Sequence, residues 1–135
     1  MNKEHITKIL SKNKGVFLFL IGSLGYGVVE LLWRGYTHWT MLLAGGICFS
    51  IYYKLCEDAK NMPFFIKWGM GALLITAVEL IFGTIVNVWL NWGVWDYSSM
   101  PFHFYGQICL PFFALWFFLC IPLTKLCDVL RSALP

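Results

Sequence analysis

Two carboxylates stand inside apolar runs of this 135-residue chain: Glu30 in "VVELLWRG", Val28 to Gly35, and Glu79 in "AVELIFG", Ala77 to Gly83. An unpaired carboxylate in hydrocarbon costs at least ~2.5 kcal/mol, so each must find a partner or be held neutral. A group kept at that cost suits three kinds of work: lining a polar cavity, exchanging a proton, or hydrogen-bonding one helix to another. Arg34, one turn beyond Glu30, is its evident counter-charge, whereas Glu79 has no cation within a turn on its own helix.

After Glu79 comes "NVWLNWGVWDYSSMPFHFYGQICLP", Asn87 to Pro111, which sets Asn87, Asp96, Tyr97, His103 and Gln107 among Trp89, Trp92 and Trp95. Indole rings gather at membrane interfaces, but this blend of polar types exceeds what an aromatic belt requires. The candidates for ligand binding or proton-linked work are therefore Glu30, Arg34, Glu79, Asn87, Trp95, Asp96, Tyr97, His103 and Gln107. In that reading Glu79 is the neutral or proton-exchanging carboxylate, Arg34 the counter-charge to Glu30, and Gln107 with the aromatic loop the ligand contacts. Pro111, read as lying within the last helix, predicts a kink that frees the Gln107 carbonyl. His38 and His103 could add imidazole chemistry at the same end, but their spacing matches no paired ligand motif, so neither metal nor cofactor is expected.

The elements that must position these groups are read from composition. The chain is 59% hydrophobic and 13% charged, against roughly 25% charged residues in a soluble domain. Apolar stretches run from about Gly15 to Trp33, Trp39 to Tyr53, Trp68 to Leu90 and Phe102 to Leu123, and a bilayer needs roughly 20 apolar residues per helix. Four transmembrane helices follow, the second being the shortest. Lys3, Lys8, Lys12 and Lys14 before the first imitate the start of a secretory signal; the apolar run is too long for a signal core, so the segment is expected to remain as a helix.

Every Lys and Arg except Arg34 falls in the N-terminal segment, the Lys54 to Lys67 loop or the C-terminal tail. That asymmetry predicts an inner-membrane, multi-pass protein with both termini cytoplasmic. Because the net charge of +3 is divided among three short segments, no nucleic-acid partner is expected. Cys48, Cys56, Cys109, Cys120 and Cys127 form no CxxC and avoid the outer loops, which reads as small apolar packing.

The chain also reads as two copies of one hairpin within a single transmembrane domain, about 15–55 and about 64–124. Gly22 to Trp33 and Gly71 to Phe82 are identical at five of twelve positions, and "GGICFS", Gly45 to Ser50, lies beside "GQICLP", Gly106 to Pro111. Two-helix repeats are parallel, related by an axis along the membrane normal, which predicts that both glutamates face one interface. Ser23, Gly27, Glu30 and Arg34 form one stripe of a helix, as do Ala72, Thr76, Glu79, Gly83, Asn87 and Asn91; such small-residue stripes are expected to face protein. The predicted fold is thus all-α and integral to the membrane, with four transmembrane helices as two parallel hairpin repeats.

At "VELLWRGYTHWTMLLAGG" and "VWDYSSMPFHFYGQICL" the chain resembles the CmpB-like family of small membrane proteins labelled ABC-transporter type IV. The resemblance covers roughly Gly22 to Pro122, and its most specific part is the series Trp95, Asp96, Tyr97, Ser98, Pro101, Gly106, Gln107 and Ile108, with Glu30 and Glu79 in support. It implies a polytopic helical protein with a transport role. The 135 residues contain no GxxxxGK[ST] loop, so ATP-driven transport requires a separate ATPase subunit, for which "KLCEDAKNMPFFIK" is a short candidate contact.

The leading functional reading is a small-solute or ion transporter, or the membrane subunit of one, acting on a small polar or ionic ligand and open to pairing with a second copy. Two alternatives stand beside it. One is a membrane-embedded enzyme using Glu30, Asp96 and His103 on a lipid or outer-face substrate. The other is a structural or assembly subunit in which the glutamates are interhelical glue.

Overall fold

The computed structural model describes residues 2–134. Its α-helices are α1 (Lys3–Lys12), α2 (Lys14–Arg34), α3 (Trp39–Asp58), α4 (Phe64–Gly83) and α5 (Leu110–Ala133); α4 continues as a π-helical turn (Thr84–Trp89). Two short strands, β1 (His103–Phe104) and β2 (Ile108–Cys109), pair antiparallel. Four helical segments are long and apolar enough to cross a membrane: Lys14–Arg34, Trp39–Asp58, Phe64–Trp89 and Leu110–Ala133. The protein is a multi-pass, helical membrane protein.

Helix α1 was legible only as a charged lead-in. Asn2 caps it by accepting a hydrogen bond from the His5 amide (2.8 Å), and Lys12 complements its C-terminal dipole.

The chain divides into two compact units, one holding α1 to α3 and the end of α5 from Leu123, the other Ala59–Pro122. In the first unit α2 and α3 pack backbone to backbone. A Cβ added at Gly22 would lie 2.5 Å from the Phe49 Cβ and 2.7 Å from the Gly45 carbonyl, so only glycine permits this approach. The expected stripe on α2 does face protein: Ser23, Gly27 and Glu30 are buried, while Leu20, Leu24, Val28 and Leu31 are exposed and suited to lipid. Gly35 ends α2 in the left-handed conformation (φ +77°), its amide closing on the Leu31 carbonyl at 3.0 Å. His38 then opens α3, its Nδ1 accepting from the Thr40 amide at 3.3 Å. The last turns of α5 join this unit through Tyr52 and Thr124, whose hydroxyls lie 2.9 Å apart.

The second unit contains α4, the π turn, the loop to β2 and the first part of α5. Trp68 and Phe117 meet edge to face with centroids 6.0 Å apart. On α4, Ala72, Glu79 and Gly83 are buried and Leu73 and Ile81 exposed, again as the stripe requires.

Three boundaries differ from expectation. Helix α3 runs to Asp58, so the second span is full length; Lys54 lies on α3 and Lys67, which is buried, on α4. The α4 stripe ends at Asn87, because the π turn breaks the 3.6-residue period and leaves Asn91 exposed with φ +55°. Pro111 does not kink a helix. It is the second residue of α5, where its missing N–H is one that has no intrahelical acceptor anyway. The proline in the helix interior is Pro122.

Candidate functional site

Helix α4 places Glu79, 6% exposed, in the interior of the second unit. Both carboxylate oxygens are bonded by neutral donors. Trp116 on α5 donates its indole N–H to Oε1 at 2.7 Å, and Tyr97 of the loop donates its hydroxyl to Oε2 at 2.9 Å. The donors are themselves fixed. The Tyr97 ring stacks on Phe112, with centroids 4.6 Å apart and planes at 16°, and its amide donates to the Gly106 carbonyl at 2.7 Å. Phe112 in turn packs against Trp116 at 5.8 Å.

The π turn sets a second network beside the first. Its longer loop, closed by the Leu90 amide on the Ile85 carbonyl at 3.0 Å, presents Asn87 to the segment that follows. Asn87 accepts from the Val94 amide at 2.7 Å and donates to the Gln107 side-chain oxygen at 2.8 Å. Gln107, 6% exposed, donates its own side-chain amide to the Tyr105 carbonyl at 2.8 Å, and its backbone carbonyl accepts from the Trp95 indole at 3.0 Å. The carbonyl expected to be freed by Pro111 is therefore occupied, and Gln107 lies in the loop before α5. Gly83 permits this closeness, because a Cβ there would stand 2.5 Å from the Gln107 oxygen and 2.9 Å from the Trp95 ring.

The loop's outer part is held by local bonds. Asp96 accepts from the Ser98 amide at 2.9 Å, and hydrogen bonds from Ser98, with the nearby His103, hold its carboxyl below the usual range. His103 Nδ1 accepts from the Gly106 amide at 3.1 Å. Gly106 has φ +69° and its missing Cβ would meet Asp96 at 2.8 Å, so two requirements for glycine coincide there. Phe102 and Tyr105 also adopt positive φ, +53° and +52°, uncommon for bulky residues. Burial pushes the Cys109 thiol up, leaving it protonated and inert as packing.

In the first unit, Glu30, 6% exposed, forms the expected ion pair with Arg34, whose guanidinium also lies 4.4 Å from the Tyr36 ring centroid. The two glutamates at matched sequence positions are thus satisfied differently, one by a cation on its own helix and the other by a loop and a partner helix.

Among the sequence candidates, Glu79, Asn87, Trp95, Tyr97 and Gln107 come together in the second unit, with Asp96 and His103 in the loop beside them; Glu30 and Arg34 pair in the first. Trp116 and Phe112 escaped the sequence reading. The available signal was position, since an indole six residues inside an apolar helix must find an acceptor for its N–H. Chemically, the arrangement offers a dehydrated carboxylate whose two donors come from neutral groups, one of them on an irregular loop. A family model described as "Putative ABC-transporter type IV" matches residues 15–134. No curated protein and no solved structure matches the chain.

Proposed function

The chain belongs to the ABC-transporter type IV family, and from that premise we propose that it is the membrane subunit of a transporter for a small polar or ionic solute, driven by a separate ATPase. One observation carries the site assignment: the buried Glu79 carboxylate is held partly by Tyr97, which belongs to a loop. Glue between two helices requires only the bond from Trp116. A loop hydroxyl on the same carboxylate couples the loop's position to what the carboxylate binds. A solute donor or cation that takes the Tyr97 place on Oε2 would release the Tyr97 side chain, and with it the loop, while Trp116 keeps the other oxygen oriented. The unusual backbone of Asn91, Phe102 and Tyr105 fits such a role, since strained positions cluster at ligand clamps.

Within this proposal Glu79 is the solute- or proton-exchanging group, Gln107, Asn87 and Trp95 shape the neighbouring wall, and Glu30 with Arg34 supplies a second polar position in the first repeat. The parallel-repeat arrangement, the inner-membrane location, cytoplasmic termini and pairing with a second copy belong to the same reading. A structural role is favoured by a different observation, the completeness of the bonding at Glu79. An enzymatic role has less support, because Asp96 and His103 both spend an acid–base atom on turn-forming bonds.

The test uses the purified full chain in mild detergent with a panel of small polar and ionic solutes. A solute that raises the melting temperature of the native protein should lose its effect in Glu79→Gln, which keeps near-native melting without it, and should keep or gain effect in Tyr97→Phe, where no hydroxyl competes for Oε2. Variants that fold normally and respond to every solute as the native protein does would leave the structural reading in its place.

A further inference from the structure

The lysine-rich end of the first unit holds a group of donors that the proposed transport site does not use. Lys14 is the first residue of α2, Tyr53 lies five residues before the end of α3, and Arg131 lies in the last turn of α5. The Lys14 Nζ stands 5.0 Å from the Tyr53 ring centroid and the Arg131 Cζ 5.3 Å from it. Tyr53 is 3% exposed, and its hydroxyl is buried with no hydrogen-bond partner. The Arg131 Nε and Nη2 are buried and unpartnered as well; its Nη1 donates to Asp128 at 3.1 Å.

From this geometry we propose that Lys14, Tyr53 and Arg131 form a seat for a phosphate group, the headgroup of an anionic phospholipid or a free phosphate. Lysine and arginine can only donate, and the tyrosine hydroxyl has an unused proton. Two cations from two helices therefore lie over the ring of a tyrosine on a third, and the tyrosine hydroxyl and two of the guanidinium nitrogens are buried with no acceptor. Buried polar groups are satisfied as a rule, so an unmet cluster of donors marks a missing acceptor. A water could accept one or two of these bonds but would not offset two positive charges. A phosphate supplies several acceptor oxygens and the opposite charge, and arginine matches its geometry with two parallel N–H groups. Asp128 occupies only one guanidinium nitrogen, and its side chain is 56% exposed, so it leaves the inward edge available.

Position favours the lipid source. Lys14 and Arg131 sit at helix ends, where headgroups meet the protein, with Tyr53 five residues from one, and Lys54, Lys12 and Lys125 add positive charge nearby in sequence. Lys14 and Arg131 are half-buried on long stems, so they can part to admit an oxygen to the Tyr53 hydroxyl.

The experiment is native mass spectrometry and a melting curve of the full chain in nonionic detergent, titrated with phosphatidylglycerol, phosphatidylcholine or inorganic phosphate. Phosphatidylglycerol should be retained in preference to phosphatidylcholine. Lys14→Gln and Arg131→Gln should each weaken it by about tenfold, the scale of one charge-assisted hydrogen bond. Tyr53→Phe, which keeps the ring and its packing, should weaken it severalfold. Lys8→Gln, outside the seat, should leave it unchanged. Retention of the lipid against millimolar inorganic phosphate assigns the headgroup as the source; displacement assigns the free anion. The proposal is overturned if neither phosphatidylglycerol nor phosphate binds, or if native protein, Tyr53→Phe and Lys14→Gln bind equally, which would leave an adventitious ion only or a water among the donors.

Discussion

The Glu79 oxygens accept from different donors, Trp116 at one and Tyr97 at the other, so substitution can address the two bonds one at a time. Trp116→Phe keeps most of the ring but removes a donor from a buried carboxylate, and should cost about 1–3 kcal/mol. Glu79→Gln should cost less, because its carbonyl can accept from Trp116 while its amide donates to the Tyr97 oxygen. Thermal unfolding of both variants in one detergent checks the order; equal stability for Trp116→Phe and the native protein would remove the indole bond from the account. Asp96 gives a prediction in pH. A carboxyl held below its ordinary value stabilises the folded loop above about pH 3.9, and that contribution is lost as pH falls through the lowered value. The protection of the Ser98 amide, taken relative to its intrinsic exchange rate at each pH, should therefore fall on acidification in the native protein, while Asp96→Ala lacks that protection at neutral pH and shows little further change. Among these groups, the Glu30–Arg34 pair was legible in the sequence because a spacing of four residues fixes neighbours on any helix. The Glu79 partners lie 18 and 37 residues away, a pairing set by loop path and helix contact that no local spacing encodes.

Helix period carries α2 and α4 a long way, since the small-residue stripes bury as expected and the branched faces remain for lipid. Period assumes one helix type, however, and the π turn after Gly83 adds a residue that removes Asn91 from the stripe and aims Asn87 at Gln107. Pro111 shows the same limit differently: an apolar run from Phe102 looked like helix, but the strand pair and the positive φ of Phe102 and Tyr105 delay α5 to Leu110. The close packing of α2 on α3 supports a paired prediction. Gly22→Ala puts a methyl group 2.5 Å from the Phe49 Cβ and 2.7 Å from the Gly45 carbonyl, which must force the helices apart at a cost of about 1–3 kcal/mol. Gly25→Ala, with nothing within 4 Å of its added Cβ, should be neutral or stabilising by up to about 1 kcal/mol, because alanine loses less backbone entropy on forming a helix. Melting temperatures of the two variants in parallel decide it: similar shifts would mean that the α2–α3 approach is not set by glycine.

At the scale of the molecule, apolar length was enough to find the four spans, and charge asymmetry is the remaining information on how they lie in the membrane. An even number of spans returns the chain to the side from which it started. Every lysine and arginine except Arg34 lies on α1 or at the start of α2, from Lys54 near the end of α3 to Lys67 near the start of α4, or toward the end of α5. On the proposed orientation, in which positively charged segments of this length stay cytoplasmic, the Leu90 to Cys109 loop, and with it Asp96 and His103, is expected on the opposite side. Cysteine labelling in intact cells tests this, with the native chain as background because Cys56, Cys109, Cys120 and Cys127 are buried. Ser99→Cys, on the exposed loop, should react with a membrane-impermeant maleimide before permeabilisation, and Lys60→Cys, between α3 and α4, only after it. The reverse pattern would place Glu79's loop partner Tyr97 on the cytoplasmic side, so that a solute displacing its hydroxyl would have to arrive from the side on which the proposed ATPase subunit would dock. Labelling of both positions in intact cells would mean that the chain inserts in two orientations despite its charge asymmetry, and would make an antiparallel pair of copies the unit to study.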